Sequence, residues 1–256
     1  MEQNGTDHHL RRERRVLRPR PHRPTPPENA RQGKSTVSVA EEHYHGPKGE
    51  PGPYGLGPRV PTFVVPPWSR GGWVCSEIFD HTSLIRFIER RFGVREEQIT
   101  AWRRTVCGDL TSAFDFAQRN NDMPPLPSTH GYRPPRCEEE SVEYPLPDGQ
   151  QLPQQEKGLR RARPLPYDLA ADARVEDGRF HIDFLNDGDT GAVFHVASHS
   201  GTYGPWTYTL AEHTQLTDSW RTDDGNDMTV HGPNGFWPPV HRTGTAARLA
   251  DHSPQW

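Results

Sequence analysis

Apolar positions follow two different rhythms along this chain. In "DHTSLIRFIERRFG", Asp80 to Gly93, they recur three and four residues apart. Leu84, Ile85, Phe87 and Ile88 then share one face of a helix, with Phe92 a turn further on. Asp80 is placed to cap this helix and Gly93 to end it in a left-handed conformation. Ser83, not Glu or Gln, stands three residues after Asp80, so a full capping box is not expected. Upstream, Thr62 to Val65 in "RVPTFVVPPWS" reads as a short apolar strand between prolines, of the kind buried in an α/β sheet. A second short helix is expected within "EEQITAWRRTVCGDLTSAFDF".

Past residue 163 the rhythm becomes two. Tyr167, Leu169 and Ala171 alternate with polar neighbours, and Phe180, Ile182 and Phe184 do the same after the turn "EDG". "AVFHVAS", "GPWTYTLAEHTQLTDSW" and "DMTVHGPNGF" continue the series. Short strands divided by Asp-Gly turns predict an antiparallel β-sandwich of about 90 residues. Asp172, Asp177, Asp183, Asp187 and Asp189 fall among those turns, but no loop has the ligand spacing of a calcium site, and turn chemistry explains them equally well.

Composition marks off the remainder. Residues 1–27 hold seven arginines with almost no apolar periodicity, and residues 121–162 are dominated by proline, glutamine and charge. The first is expected to be a disordered basic tail and the second a linker, since neither can bury enough surface to offset its ordering entropy. The tail's arginines suit an anionic surface, but without interleaved aromatics or a fold motif they do not indicate nucleic acid, nor does a net charge of -4. Residues 238–256 show no further alternation and read as a second tail. Cys75, Cys107 and Cys137 lack zinc spacing, which leaves buried thiols or one incidental disulfide. No run is long enough to span a bilayer, and the N-terminus lacks the apolar core of a secretory signal, so the location stays unassigned.

Candidate chemistry concentrates where the expected strand gives way to the helix. Glu77, Asp80 and His81 lie at that junction, where α/β enzymes place catalytic groups. His81 could donate to a phosphoryl oxygen or act as a general acid, and Arg59 could contact an anion. Glu77 and Asp80 supply two hard oxygen ligands only if the loop folds them together. The competing reading has Asp80 as a helix cap and His81 as an ordinary first-turn residue.

Three blocks carry a family resemblance: "GPYGLGPRVPTFVVPPWSRGGWVCSEIFDHTSLIRFIERRFGV", "WRRTVCGDLTSAFDF" and "HGPNGF". Together they resemble bacterial phosphocholine-specific phospholipase C, of the acid phosphatase and phospholipase C phosphoesterases. The resemblance covers about residues 28–237 and only the C-terminal part of such an enzyme. It implies an α/β fragment of an alkaline-phosphatase-like domain at 28–120, followed by a small antiparallel β-sandwich domain at 163–237. The implied parent activity is hydrolysis of the phosphodiester of phosphatidylcholine or sphingomyelin to phosphocholine, at a choline phospholipid or membrane surface. Arg59, Asp80 and His81 match family motifs in supporting roles, and Glu77 and Asp80 are the candidate metal ligands. Intact relatives use a divalent metal and a hydroxyl nucleophile and are usually exported.

This chain shows neither the nucleophile motif nor the main metal motif. No tight metal binding is therefore expected, and the chain is expected to be inactive unless joined by a separately encoded N-terminal half. The alternative is a non-catalytic lipid- or surface-binding β-sandwich module. One codon choice for "DHHLRRERRVLRPR", Asp7 to Arg20, read one base further on, encodes the family's acidic metal motif. The tail would then be out-of-frame translation, against the alternative of a genuine short tail. Residues 28–120 are expected to be unstable in isolation.

Overall fold

The computed structural model describes residues 24–27, 29, 31–47, 51–123, 125–132, 149, 157–198, 204–221, 227–237, 239–243 and 246–249. The readings of residues 1–23 as a basic or out-of-frame tail, of most of the linker, and of Cys137 lie outside these residues.

Period-two alternation produces the strands it predicts. β4 (Leu169–Glu176) and β5 (Arg179–Asn186) form a hairpin whose turn places Asp177 and Gly178 at positive φ. β5 also pairs with β8 (Thr214–Arg221), completing a three-stranded sheet. β6 (Ala192–Ser198), β7 (Trp206–Leu210) and β9 (Asp227–His231) form the centre of a second, larger sheet. Phe180, Ile182 and Phe184 from the first sheet and Phe194, Val196, Tyr208 and Leu210 from the second are fully buried in one cluster. Phe184 stacks on Tyr208 with ring centroids 4.5 Å apart.

Two features depart from the expected antiparallel arrangement. β10 (Pro239–Thr243) and β11 (Ala246–Leu249) continue the larger sheet beyond β9, so part of the stretch read as a tail is strand. At the opposite edge, β1 (Gly33–Ser35) pairs with β7 in parallel, giving the six-stranded order β1-β7-β6-β9-β10-β11. This sheet is mixed because one strand arrives from more than 150 residues upstream, which a local pattern cannot reveal. Gly33 has φ 143, and a side chain there would overlap the Thr207 carbonyl, so only glycine permits this approach.

The N-terminal region holds a two-stranded ribbon of β2 (His43–Tyr44) and β3 (Gly52–Pro53), and two helices, α1 (His81–Phe92) and α2 (Ala101–Val106). Thr62 to Val65 pairs with nothing among the described residues, and Phe63 is 87% exposed, so the buried strand expected there does not form. Helix α1 forms as expected. Ser83 is buried and Phe87 stacks on Phe114, while Leu84, Ile85, Ile88 and Phe92 face outward.

The two regions share a core. Trp102 and Val106 of α2 are fully buried with Val193 of β6, and the Trp102 indole N–H donates to Thr209 Oγ1 at 2.9 Å. The Tyr167 hydroxyl accepts from the Ile78 N–H, and Val74 bridges to Ala162.

Candidate functional site

Helix α1 begins with a more complete cap than its sequence suggests. The Asp80 carboxylate accepts from the Thr82 and Ser83 N–H groups, and the Ser83 hydroxyl in turn accepts from the Asp80 N–H. That reciprocal pair is a capping box with serine in place of Glu or Gln, which corrects the expectation that none would form. At the far end Gly93 adopts the left-handed conformation and donates to the Glu89 carbonyl.

A single guanidinium organises the surroundings. Arg103 donates to Asp80 Oδ2 at 2.7 Å, to Glu42 Oε1 at 3.0 Å and to the Gly55 carbonyl at 3.0 Å. Glu42 is only 1% exposed and also accepts from the Thr100 hydroxyl. Arg103 therefore ties the helix start to the loop that leads into Arg59, joining two of the candidate motifs through a side chain that neither contains. Burial pushes the Asp80 carboxyl upward, but the hydrogen bonds from Thr82 and Arg103 and the guanidinium charge outweigh it and hold the group below its usual range.

Glu77 has a different environment. Its carboxylate accepts from the Ser112 hydroxyl, and a side chain at Gly108 would overlap it, so glycine at 108 is what gives it room. Burial pushes its carboxyl up, the Ser112 bond opposes this, and the Asp109 charge adds to it, with a net rise. A carboxyl raised in the folded state favours the protonated form there, so folding loses stability as pH climbs from about 4.5 through the folded value. Replacing Glu77 by Gln should remove this loss: the urea midpoint of the variant should gain on that of the parent across that window and then level off. A difference that does not change with pH would contradict the assignment.

His81 and Arg59 are exposed, His81 on the first turn of α1 and Arg59 in the preceding loop. The Thr82 and Ser83 N–H groups already serve the Asp80 cap, so the helix start offers an incoming anion little besides His81 itself. The Asp80 carboxylate is already committed within the protein. Asp80 Oδ1 accepts three hydrogen bonds from Thr82 and Ser83, and its Oδ2 meets a cation already. Among the described residues no group of three or more His, Cys, Asp or Glu is placed to hold a metal ion. We therefore derive no step through a metal bound to these residues. Cys75 and Cys107 are free thiols, and burial pushes that of Cys107 far up, which disfavours its thiolate.

A charged groove lies nearby, lined by residues including Arg86, Glu89, Arg90, Arg104 and Asp109. Most of its charges pair internally: Arg104 binds both Glu89 oxygens, at 2.8 and 2.9 Å, and Arg90 binds Asp109 at 3.0 Å. Hydrogen bonds from Arg104 hold the Glu89 carboxyl down at about 2. Arg103 and Glu42 escaped the sequence reading, because an arginine inside "AWRRTV" and a glutamate inside "AEEHYH" look like solvated surface.

Comparison with known proteins agrees with this two-part organisation. Residues 161–238 match the family described as bacterial phospholipase C, C-terminal domain, and residues 20–95 match the phosphoesterase family. A non-hemolytic phospholipase C of Burkholderia pseudomallei is 48% identical over 237 residues, which are 88% of this chain and 34% of that protein. The non-hemolytic phospholipase C of Pseudomonas aeruginosa is also 48% identical, over 72% of this chain and 28% of its own length. The hemolytic phospholipase C of the same organism is 37% identical over 85% of this chain and 34% of its own. The chain thus spans about a third of the length of the relatives it matches.

Proposed function

We propose, from the chain's homology to the bacterial phospholipases C, that it is the C-terminal part of a phosphodiester hydrolase acting on choline phospholipids. In this reading residues 28–120 belong to an alkaline-phosphatase-like catalytic domain, and the strands from Leu169 onward are a sandwich-type domain whose larger sheet takes β1 of that region as an edge strand. The observation that carries the reading is the Arg103 junction, which fixes the Asp80–His81 corner and the loop before Arg59 to one another. In this reading Arg59 neutralises a nonbridging phosphoryl oxygen and His81 donates a proton to the departing alkoxide. The nucleophile and the metal come from the remaining two-thirds of a relative's length, and the chain alone does not turn over.

The test is phosphocholine release from phosphatidylcholine vesicles. The purified chain should release none. Together with the separately expressed remainder of the 48%-identical Burkholderia enzyme it should release phosphocholine, and His81→Ala should lower that rate by about 10²-fold or more. Turnover by the chain alone, or a mixture indifferent to His81→Ala, would contradict the proposal. The alternative of a free-standing lipid-binding module fits less well, because the β-region shares a core with α2.

A further inference from the structure

Helix α1 is amphipathic, and it is oriented the wrong way round for the chain it belongs to. Leu84, Ile85, Ile88 and Phe92 are between 42% and 68% exposed, whereas Ser83 is fully buried and Arg86 is directed inward, donating to the Cys107 carbonyl. A helix stripe of this width ordinarily faces a core. Here the segment Cys107 to Phe114 takes up the Arg86 side and Phe87 at its edge, which leaves Leu84, Ile85, Ile88 and Phe92 exposed. Contiguous exposed apolar surface of this kind marks an interface.

We infer that the Leu84–Ile85–Ile88–Phe92 face is the seat of a protein partner, and that this partner is the N-terminal phosphoesterase moiety of a phospholipase C. The occupant follows from two observations. The phosphoesterase family match, residues 20–95, contains the whole stripe, so the stripe belongs to that fold and not to the β-region. The relatives extend about three times as far as the chain does, so about two-thirds of such a protein's length lies outside the match and can supply the cover. Phe63, also inside the match and highly exposed, is a second apolar position requiring cover. The inference rests on the proposed function but is tested by binding and not by turnover.

The experiment uses the full chain and the Burkholderia phospholipase C from which the matched C-terminal segment has been removed, followed by analytical ultracentrifugation and calorimetry. A one-to-one complex is expected. Ile85→Lys combined with Ile88→Lys should weaken it at least tenfold while leaving the chain's own unfolding midpoint nearly unchanged, because both side chains are exposed. An exposed change off the stripe, Gln118→Lys, should leave affinity within about twofold. A complex unaffected by the double lysine variant, no complex at all, or self-association of the chain through the stripe would overturn the inference. Binding without phosphocholine release would leave the docking face standing and count against the proposed chemistry alone.

Discussion

Replacing Trp102 by alanine should destabilise the chain by about 3–5 kcal/mol, the cost of deleting a large, fully buried aromatic from a packed core. The loss should reach both regions together. Trp102 sits between Val106 of its own helix and Val193 of β6, and its indole N–H is satisfied only through Thr209 of β7. Thr209→Val separates the packing from the polar contribution. It keeps the volume but leaves the indole donor buried without a partner, at a cost of about 1–3 kcal/mol. Chemical denaturation of the parent and both variants, followed by circular dichroism, gives the comparison. If Trp102→Ala unfolds only the region before residue 120 and leaves the β-strands at their original midpoint, the shared core carries little energy.

Arg103→Met should cost a similar amount, about 3–5 kcal/mol, for a different reason. Removing the guanidinium strands the Glu42 carboxylate, 1% exposed, without its countercharge. Asp80 loses the same partner but keeps its hydrogen bonds from Thr82 and Ser83. Adding Glu42→Gln to Arg103→Met should therefore recover part of the stability, because the uncompensated charge disappears while the Thr100 hydroxyl keeps an acceptor. Equilibrium unfolding of the single and double variants closes the cycle. Additive losses would show that the Glu42–Arg103 pair is not coupled.

Local pattern made the β-region legible. The alternation of Phe180, Ile182 and Phe184 gives three buried side chains on one strand, and "AVFHVAS" is β6 residue for residue. Helix α1 was legible in extent, from its periodic residues and from Gly93. Periodicity shows that a helix has an apolar face and is silent about which neighbour covers it. The Thr62 to Val65 segment failed for a related reason, since a strand needs a partner and none is present among the described residues. Parallel pairing of Gly33–Ser35 with β7 could not be read at all, because its register is set by contacts about 170 residues apart in sequence.

At the candidate site the residue types were visible and their wiring was not. Asp80 was legible as a cap, while Ser83 was passed over because its hydroxyl fills the place usually taken by a longer carboxylate or amide. Arg103 lies in a family block, but its pairing with Glu42 carried no signal, since an ion pair made across 61 residues has the local composition of an exposed one. The family blocks pointed to the corner at Asp80 and His81, and the structure shows the guanidinium that ties Asp80 to the Gly55 carbonyl.

The proposed frame depends most on the region before residue 120 and the β-region forming a single folded body. Native-state hydrogen exchange of the full chain, resolved to peptides covering residues 101–106 and 192–210, tests this directly. The account predicts that both peptides are strongly protected and open with the same free energy, as parts of one cooperative unit. Fast exchange in 101–106 beside lasting protection in 192–210 would mean that the α2 contact is a loose attachment, and the frame proposed for Asp80, His81 and Arg59 would lose its support.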